Sequence, residues 1–269
     1  MSAEPLLPVD PAFSFAFQPI VDASAGQIVG YEALIRGTWD EPAWQVLNQI
    51  SPLRLHLFDQ VARSQAVGLA ARLDIDRPLH LNFLAQSLES WPRSVLTTLD
   101  AAQEAGIAAE RIVLEVPENH VVENRAHFAS LIKQARGRGV RLAIDDFGAS
   151  HASLTLLDDL GPEQIKLDMR LIRSVERPGP RQTILRAIRR ACYDLKIDVI
   201  AEGVETLAEY SFLTGQKIRL FQGYLFAKPA FEALPPVHFP QVELAGAHLP
   251  PTGPLAARST TNPHSKKRA

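Results

Sequence analysis

The sequence has little of several features that mark special classes of protein. One cysteine, Cys192, stands among 269 residues, so no internal disulfide can form and a disulfide-stabilised secreted domain is excluded. With 28 Lys and Arg against 30 Asp and Glu, a strongly basic nucleic-acid binder is excluded as well. Apolar runs are far shorter than the ~20 residues that a membrane span requires. We therefore expect a cytoplasmic protein with no nucleic-acid partner and no membrane span, and with Cys192 as a small buried residue.

The two ends of the chain differ in composition from its middle. Residues 1–12 hold three prolines and no periodic pattern, and residues 237–269 are Pro-rich with four Lys or Arg against one Glu. Segments of this kind bury little apolar surface, so both ends are predicted to be disordered. The N-terminus also lacks the basic start and apolar core of a signal peptide, which predicts no secretion. The folded domain is expected over residues 13–236.

Between these ends, eight short β-like runs alternate with longer amphipathic stretches. The runs are residues 13–20, 28–35, 79–83, 111–116, 140–145, 164–168, 197–202 and 218–223. The connection 21–27 is too short for a crossover helix, so the first two strands should form an antiparallel hairpin. Later connections are long enough for helices, which are predicted within residues 86–106, 121–138, 150–161, 170–196 and 206–215.

The alternation of strands and helices indicates a parallel sheet covered by helices. Eight strands in one domain favour a closed (β/α)8 barrel of the TIM type with an irregular antiparallel first strand. The alternative is an open doubly wound sheet. That fold would call for a Gly-rich loop after an early strand, and the sequence has none.

Polar side chains interrupt or end the apolar runs on seven consecutive predicted strands. They are Glu32, Asn82, Glu115, Asp145 with Asp146, Lys166, Glu202 and Gln222. One such residue could be a helix cap or a paired charge. A succession of them is different, because the carboxyl ends of barrel strands meet around one pocket.

Carboxylate and amide oxygens converging beside a lysine are typical of a site for a hard divalent cation. The set therefore predicts Mg²⁺ or Mn²⁺, and the adjacent Asp145 and Asp146 suit a pair of ions that supports in-line displacement at phosphorus. Four histidines show no ligand spacing and are expected at the surface or the edge of the core: His80, His120, His127 and His151.

The residues also carry a resemblance to a known family. The segment Tyr31-Glu-Ala-Leu-Ile-Arg-Gly37 contains the signature tripeptide of the EAL domain. Further segments follow in the family's order: Phe17-Gln-Pro-Ile-Val21 before it, then Leu81-Asn-Phe83, Leu114-Glu-Val-Pro-Glu118, Ala143-Ile-Asp-Asp-Phe-Gly148, Ile165-Lys-Leu-Asp168, Ala201-Glu-Gly-Val-Glu-Thr206 and Phe221-Gln-Gly-Tyr-Leu-Phe-Ala-Lys-Pro229. The sequences around residues 82 and 166 look most similar to EAL domains joined to blue-light-sensing BLUF modules.

The resemblance implies hydrolysis of the bacterial second messenger cyclic di-GMP to linear pGpG, with two Mg²⁺ or Mn²⁺ ions. It places Glu32, Asn82, Glu115 and Asp145 around one metal, and Asp145, Asp146 and Glu202 around the second. It makes Lys166, Glu202 and Gln222 catalytic, with Lys166 and Gln222 acting on the attacking water. It further implies substrate contacts from Gln18, Leu34, Arg36 and Pro229, and supporting roles for Glu118 and Glu205, Glu118 steadying the loop after Asp146.

The resemblance also implies a homodimer and a separate sensor or regulatory protein as partner. Two departures from the family pattern stand near the predicted metal ligands. Ser150 occupies the place of a usual glycine, and Pro117 that of a usual threonine. The alternative function therefore stays open: a catalytically weak or inactive domain that binds cyclic di-GMP or holds a protein partner.

Overall fold

The structure is a computed structural model, and it describes residues 11–84, 93–118, 125–149 and 154–240. Within these ranges the chain alternates strands and helices as the sequence predicts. The strands are β1 (Phe13–Asp22), β2 (Gln27–Gly37), β3 (Leu79–Asn82), β4 (Ile112–Pro117), β5 (Arg141–Phe147), β6 (Gln164–Leu167), β7 (Asp198–Ala201), β8 (Leu220–Phe221) and β9 (Ala230–Phe231).

These strands form one closed sheet. Its order is β2-β3-β4-β5-β6-β7-β8-β1-β9, and a further pairing of β1 with β2 closes the ring. The pairs from β2–β3 to β7–β8 are parallel, whereas β1 runs antiparallel to both β2 and β8. The predicted barrel with an antiparallel first strand is confirmed. The short strand β9, which pairs with β1, was not predicted.

Helices occupy the connections between the parallel strands. They are α1 (Ala43–Leu47), α2 (Leu55–Arg72), α3 (Arg93–Glu104), α4 (Arg125–Arg136), α5 (Thr155–Leu160), α6 (Met169–Ile172), α7 (Pro180–Leu195) and α8 (Leu207–Gly215). The sequence pattern made no prediction for the connection that holds α1 and α2. The single helix expected over residues 170–196 is instead two, α6 and α7.

Proline and glycine explain where the second of these helices begins. Pro178 and Pro180 flank Gly179, which is extended at φ 171°, and Pro180 is the first residue of α7. Proline disfavours helical backbone in the residue before it, yet it suits the first helical position, where no N–H is needed. α7 therefore begins at Pro180, while α6 has already ended at Ile172.

The β1–β2 hairpin shows how local chemistry fixes the reversed first strand. Asp22 ends β1, and its Oδ1 accepts hydrogen bonds from the backbone N–H groups of Ser24 (2.9 Å) and Ala25 (3.1 Å). Gly26 then takes φ 61°, a conformation that glycine adopts without steric cost. This tight turn sends β2 back along β1.

The core lies inside the barrel wall and between the wall and the helices. On the side of β8, the rings of Tyr210, Phe221 and Phe226 pack with centroids 5.0–5.7 Å apart. Val237 and Phe239, just beyond the expected end of the domain at residue 236, also pack against the core. Residues 241–269 and 1–10 lie outside the described residues.

Two further expectations can be compared with the structure. Cys192 is buried in α7 as predicted, and burial raises the pKa of its thiol to about 12. Among the described residues, no helix is both long enough and apolar enough to cross a bilayer.

The aromatic cluster allows a test of the packing. Replacing the fully buried Phe221 with alanine should lower the free energy of unfolding by about 3–5 kcal/mol, because the ring leaves a cavity among its neighbours. Urea unfolding followed by circular dichroism measures the change. The control is Tyr193→Ala, at a ring that is 69% exposed, which should change stability by about 0.5 kcal/mol or less. A loss near 1 kcal/mol at Phe221 would contradict the described packing.

Candidate active site

The barrel brings together the polar residues that the sequence places on separate strands. Glu32 lies in β2, Asn82 ends β3, and Glu115 lies in β4. Further round the ring stand Asp145 and Asp146 of β5, Lys166 of β6, Glu202 directly after β7 and Gln222 directly after β8. Because β2 to β8 are parallel neighbours, these side chains converge at one end of the barrel.

Lys166 is the centre of the group. Its side chain is 1% exposed, and its Nζ lies 3.0 Å from Glu32 Oε2, 2.8 Å from Glu115 Oε1, 3.5 Å from Asp145 Oδ1 and 2.5 Å from Glu202 Oε1. Burial alone would lower the pKa of this amine, but the four carboxylates raise it well above its usual value. Lys166 therefore carries a positive charge that offsets part of the buried negative charge around it.

Amide groups hold Glu32 from the other side. Asn82 Nδ2 donates to Glu32 Oε1 at 3.1 Å, and Gln222 Nε2 donates to Oε2 at 2.7 Å. Gln222 Nε2 also donates to Gln18 Oε1 at 3.1 Å, and Gln18 in turn donates to the carbonyl of Ala227 at 3.1 Å. A chain of hydrogen bonds thus links β1, β2 and β8 where the first strand closes the barrel.

His80 corrects an expectation from the sequence. It is 2% exposed rather than at the surface or the core edge, and its Nδ1 lies 2.8 Å from Glu115 Oε1. Burial, and next the Lys166 ammonium, lower the pKa of His80 to about 3, so the ring is neutral. His120 and His151 lie outside the described residues, and of His127 only the backbone in α4 is described.

The β5 strand bends where it carries the paired aspartates. Its register against β6 shifts between Ile144 and Phe147, and Asp146 takes φ 54°, which is uncommon for a residue with a side chain. Asp145, Asp146 and Glu202 each offer an oxygen within 4.8 Å of the others. Irregular backbone at this place thus turns two adjacent carboxylates toward one site.

Asp168 is a further member of the site that the sequence analysis did not assign. Its side chain hydrogen-bonds with that of Asp146, caps α6 by accepting from the N–H of Arg170 (2.6 Å), and pairs with the Arg170 guanidinium at 2.9 Å. Its position at the end of a strand, two residues after Lys166, was the signal available. Asp168 therefore joins Asp146 to the start of the next helix.

Carboxylates outside the cluster hold the loops that carry it. Glu118, 2% exposed, accepts from the backbone N–H of Gly148 at 3.0 Å. Glu205, half exposed, pairs with Arg173 at 2.8 Å. The buried Glu209, which was not predicted, accepts from three backbone N–H groups, those of Ser174, Glu205 and Thr206. The loop after β7 is thereby tied to the end of α6.

The loops after β7 and β8 also hold one another. The N–H of Val204 donates to the carbonyl of Gln222 at 3.2 Å, and the N–H of Leu225 donates to the carbonyl of Val204 at 3.1 Å. A Cβ atom on Gly223 would lie 2.2 Å from the Val204 oxygen, so only glycine permits this approach. Glu202 and Gln222 are positioned together as a result.

A cavity of about 250 Å³ opens beside the cluster, between the ends of β2 and β3 and the helices α1 and α2. Glu32 and Asn82 form its polar side, and Leu34 and Arg36 line it next to them. Arg36 Nε lies 3.4 Å from Asp40 Oδ1. Pro229 is partly buried immediately before β9.

The buried carboxyl groups differ in the direction of their pKa shifts. Burial, and next the charge of Glu32, raise the pKa of Glu115 well above its usual value, and burial also raises that of Glu202. Burial followed by the charge of Asp145 raises the pKa of Asp146 to about 6. Burial acts on Glu32 in the same direction, but Lys166 and the bonds from Gln222 and Asn82 lower its pKa to about 2. If all of these carboxylates were ionised, Lys166 alone could not offset their charge, and raised pKa values at Glu115, Asp146 and Glu202 are the result.

The donor set fits divalent cations. Glu115 Oε2 is buried and has no hydrogen-bond partner among the described residues, so this oxygen could still bind a ligand. Buried polar atoms are rarely left without a partner, and carboxylate oxygens are the ligands that Mg²⁺ and Mn²⁺ prefer. Glu115, together with the cluster of Asp145, Asp146 and Glu202, therefore offers oxygens suited to one or two ions.

Comparison with known proteins agrees with this architecture. The EAL domain profile matches residues 9–229. The chain belongs to the EAL domain family. The resemblance inferred from the motifs is confirmed, and the match includes every residue of the cluster.

Individual relatives extend the comparison. The chain is 34% identical over 228 residues to the blue light- and temperature-regulated antirepressor BluF of Escherichia coli, covering 84% of this chain and 57% of BluF. It is 30% identical over 239 residues to the cyclic di-GMP phosphodiesterase NbdA of Pseudomonas aeruginosa, and this match covers 82% of this chain and 29% of NbdA. The Klebsiella pneumoniae BlrP1 complex with calcium and cyclic di-GMP superimposes with a TM-score of 0.81 at 34% identity, covering 86% of this chain and 60% of that one. This EAL chain thus spans little more than half of BluF and less of NbdA.

The raised pKa of Glu202 generates a test in the metal-free protein. A carboxyl group with a raised pKa in the folded state stabilises the fold at low pH, and that contribution is lost as pH rises above the pKa of the unfolded chain, about 4.3 for Glu. Glu202→Gln lacks this group, so the variant should gain stability relative to the parent as pH rises from about 5 to about 8.

Thermal melts in excess chelator at a series of pH values measure that difference. Gln103→Ala on the exposed side of α3 is the matched control, because it alters no ionisable group and should run parallel to the parent. A difference between Glu202→Gln and the parent that stays constant, or that shrinks as pH rises, would contradict the assigned environment of Glu202.

Proposed function

We propose that this EAL domain is a metal-dependent phosphodiesterase that hydrolyses cyclic di-GMP to linear 5′-pGpG. The observation that carries the proposal is the convergence of four carboxylates on the buried Lys166. Two findings about relatives support it: NbdA is named a cyclic di-GMP phosphodiesterase, and BlrP1 is seen with cyclic di-GMP and calcium.

The proposed metal sites are those that the family resemblance implies, and the carboxylate cluster supports them. Glu32, Asn82, Glu115 and Asp145 would hold one Mg²⁺ or Mn²⁺ ion, and Asp145, Asp146 and Glu202 would hold the second. Divalent ions at such a site neutralise the phosphodiester, lower the pKa of water and stabilise the leaving 3′ oxygen. All ligand types are oxygens, as these ions require.

The remaining groups would orient the reactants. Lys166 keeps its proton, so it would donate a hydrogen bond to the attacking water rather than remove a proton from it. Gln222, which hydrogen-bonds to the same Glu32 carboxylate as Lys166, would also contact that water. Arg36 faces the cavity, where its planar guanidinium suits a phosphate oxygen. Leu34 would contact the substrate from the same cavity, and Gln18 and Pro229 from the β1 side.

A binding function is the second candidate, and a specific observation favours it. BluF, which is 34% identical to this chain, is named an antirepressor rather than a phosphodiesterase. Such a protein would hold cyclic di-GMP or a protein partner without turnover. Ser150, one of the two departures from the family pattern, lies outside the described residues. The other, Pro117, pairs in register with Asp145.

Product analysis separates the two candidates. We expect the purified protein to convert cyclic di-GMP to pGpG with Mg²⁺ or Mn²⁺ and to lose this activity in excess EDTA. Chromatography of the nucleotides with time measures it. Binding of cyclic di-GMP without any pGpG at saturating metal would overturn the catalytic proposal in favour of the receptor.

A substitution in the cluster tests the site itself. Glu32→Gln keeps the shape of the side chain but removes the charge that pairs with Lys166, so hydrolysis should fall about 10²-fold or more. Glu104→Gln on the exposed side of α3 is the control and should keep the parent rate. Circular dichroism checks that both variants fold. A Glu32→Gln variant that keeps more than about a tenth of the parent rate would show that Glu32 is not essential for hydrolysis.

Assembly and partners are proposed on the family resemblance alone. We expect a homodimer in solution, a separate sensor or regulatory protein as partner, and a cytoplasmic location. Light scattering of the purified chain, with and without cyclic di-GMP, tests the first of these expectations.

A further inference from the structure

The two oxygens of the Glu115 carboxylate have opposite surroundings. Oε1 is approached by two nitrogens, His80 Nδ1 and Lys166 Nζ, both at 2.8 Å. Oε2 is buried and has no hydrogen-bond partner among the described residues. The carboxylate is therefore held by one oxygen while the other is free to bind a ligand.

The barrel is shaped to admit the His80 ring. Residues 80 and 82 of β3 face the same side of the sheet, so His80 lies in the barrel interior one layer below Asn82. Gly30 lies against it on β2, where a Cβ atom would come within 3.3 Å of His80 Cδ2 and Nε2. The absence of a side chain at Gly30 leaves room for the imidazole.

The direction of the hydrogen bond follows from the contacts. A carboxylate that binds a metal ion is ionised and can only accept at Oε1, so His80 Nδ1 must carry the ring proton to hydrogen-bond with that oxygen. The imidazole has a single N–H in its neutral form, and here it is directed at the carboxylate. Burial of a polar ring is unfavourable unless the ring is hydrogen-bonded, and Glu115 Oε1 is the partner of Nδ1.

We propose that His80 is a positioning residue that holds Glu115 Oε1 and so directs Oε2 toward the metal ion. This inference rests on the proposed function, which places Glu115 among the metal ligands. Lys166 cannot do this alone, because its ammonium is shared among four carboxylates, whereas His80 contacts Glu115 specifically. Groups that hydrogen-bond to a metal ligand commonly change metal affinity about 10–100-fold when they are removed.

Three substitutions separate the donor from the shape of the ring. His80→Leu fills the space without any donor. His80→Asn places an amide nitrogen the same number of bonds from Cα as Nδ1, so it can still donate to Glu115. His80→Gln places its amide one bond further along the side chain, toward Gly30, and is a polar variant with a misplaced donor.

The measurement is Mn²⁺ binding to the metal-stripped full chain by isothermal titration calorimetry. We expect His80→Leu and His80→Gln to bind Mn²⁺ at least about tenfold more weakly than the parent, and His80→Asn to stay within about threefold. His238→Leu, at an exposed histidine outside the barrel, is the matched control and should bind as the parent does. Circular dichroism and thermal melts confirm that each variant folds, and the Asn and Gln pair suffices if the Leu variant does not.

The outcomes distinguish this inference from the function on which it rests. A folded parent protein that binds no Mn²⁺ overturns the metal-dependent function and the inference together. A parent that binds Mn²⁺, with His80→Leu or His80→Gln binding equally well, overturns the inference alone. Equal impairment of His80→Asn and His80→Gln also overturns it, because the position of the donor would then be irrelevant.

Discussion

The buried ammonium of Lys166 is the interaction on which the rest of the site depends. Four carboxylates from four different strands lie within 3.5 Å of its Nζ. A carboxylate taken out of water is unfavourable by several kcal/mol unless an opposite charge or hydrogen bonds replace the lost solvation. Lys166 supplies that charge for the metal-free fold, and the closed barrel keeps the partners in place. One lysine cannot offset all of these carboxylates, so the cluster offers oxygens suited to a cation.

The backbone around the cluster is specialised where the acidic groups are densest. Asp146 takes a left-handed conformation at the irregular end of β5. The side chain of Asp168 hydrogen-bonds with that of Asp146, and Glu118 accepts from the backbone N–H of Gly148. Gly223 allows two loops to approach so closely that a methyl group would not fit. Such strained or close-packed backbone persists only when its surroundings hold it. Hydrogen-bonded carboxylates hold it around Asp146, and backbone hydrogen bonds to Val204 hold it beside Gly223. The acids thus hold the backbone of the site as well as line it.

Much of the fold and of the site could be predicted because both leave periodic signals in the chain. Apolar runs at regular spacing indicate strands, and a polar residue within such a run is conspicuous, which singles out Glu32, Glu115 and Lys166. His80 gave the same signal two residues before Asn82, but a histidine is also common at the core edge, and the pattern alone could not separate the two. Asp168 and Glu209 were missed because an acid at a helix start usually serves as a cap, and these two residues do so as well.

By itself, the sequence determined the alternation of strands and helices, the barrel and the identity of most acidic groups, since these depend on local apolar periodicity and on residue type. Only the tertiary structure decided which oxygen faces which partner. The register between neighbouring strands places Glu32 beside both Gln18 and His80, and Asn82 beside Glu115. Register and side-chain direction depend on contacts between residues distant in the chain, which no local pattern contains. That is why His80 came to light as a partner of Glu115 only in the folded barrel.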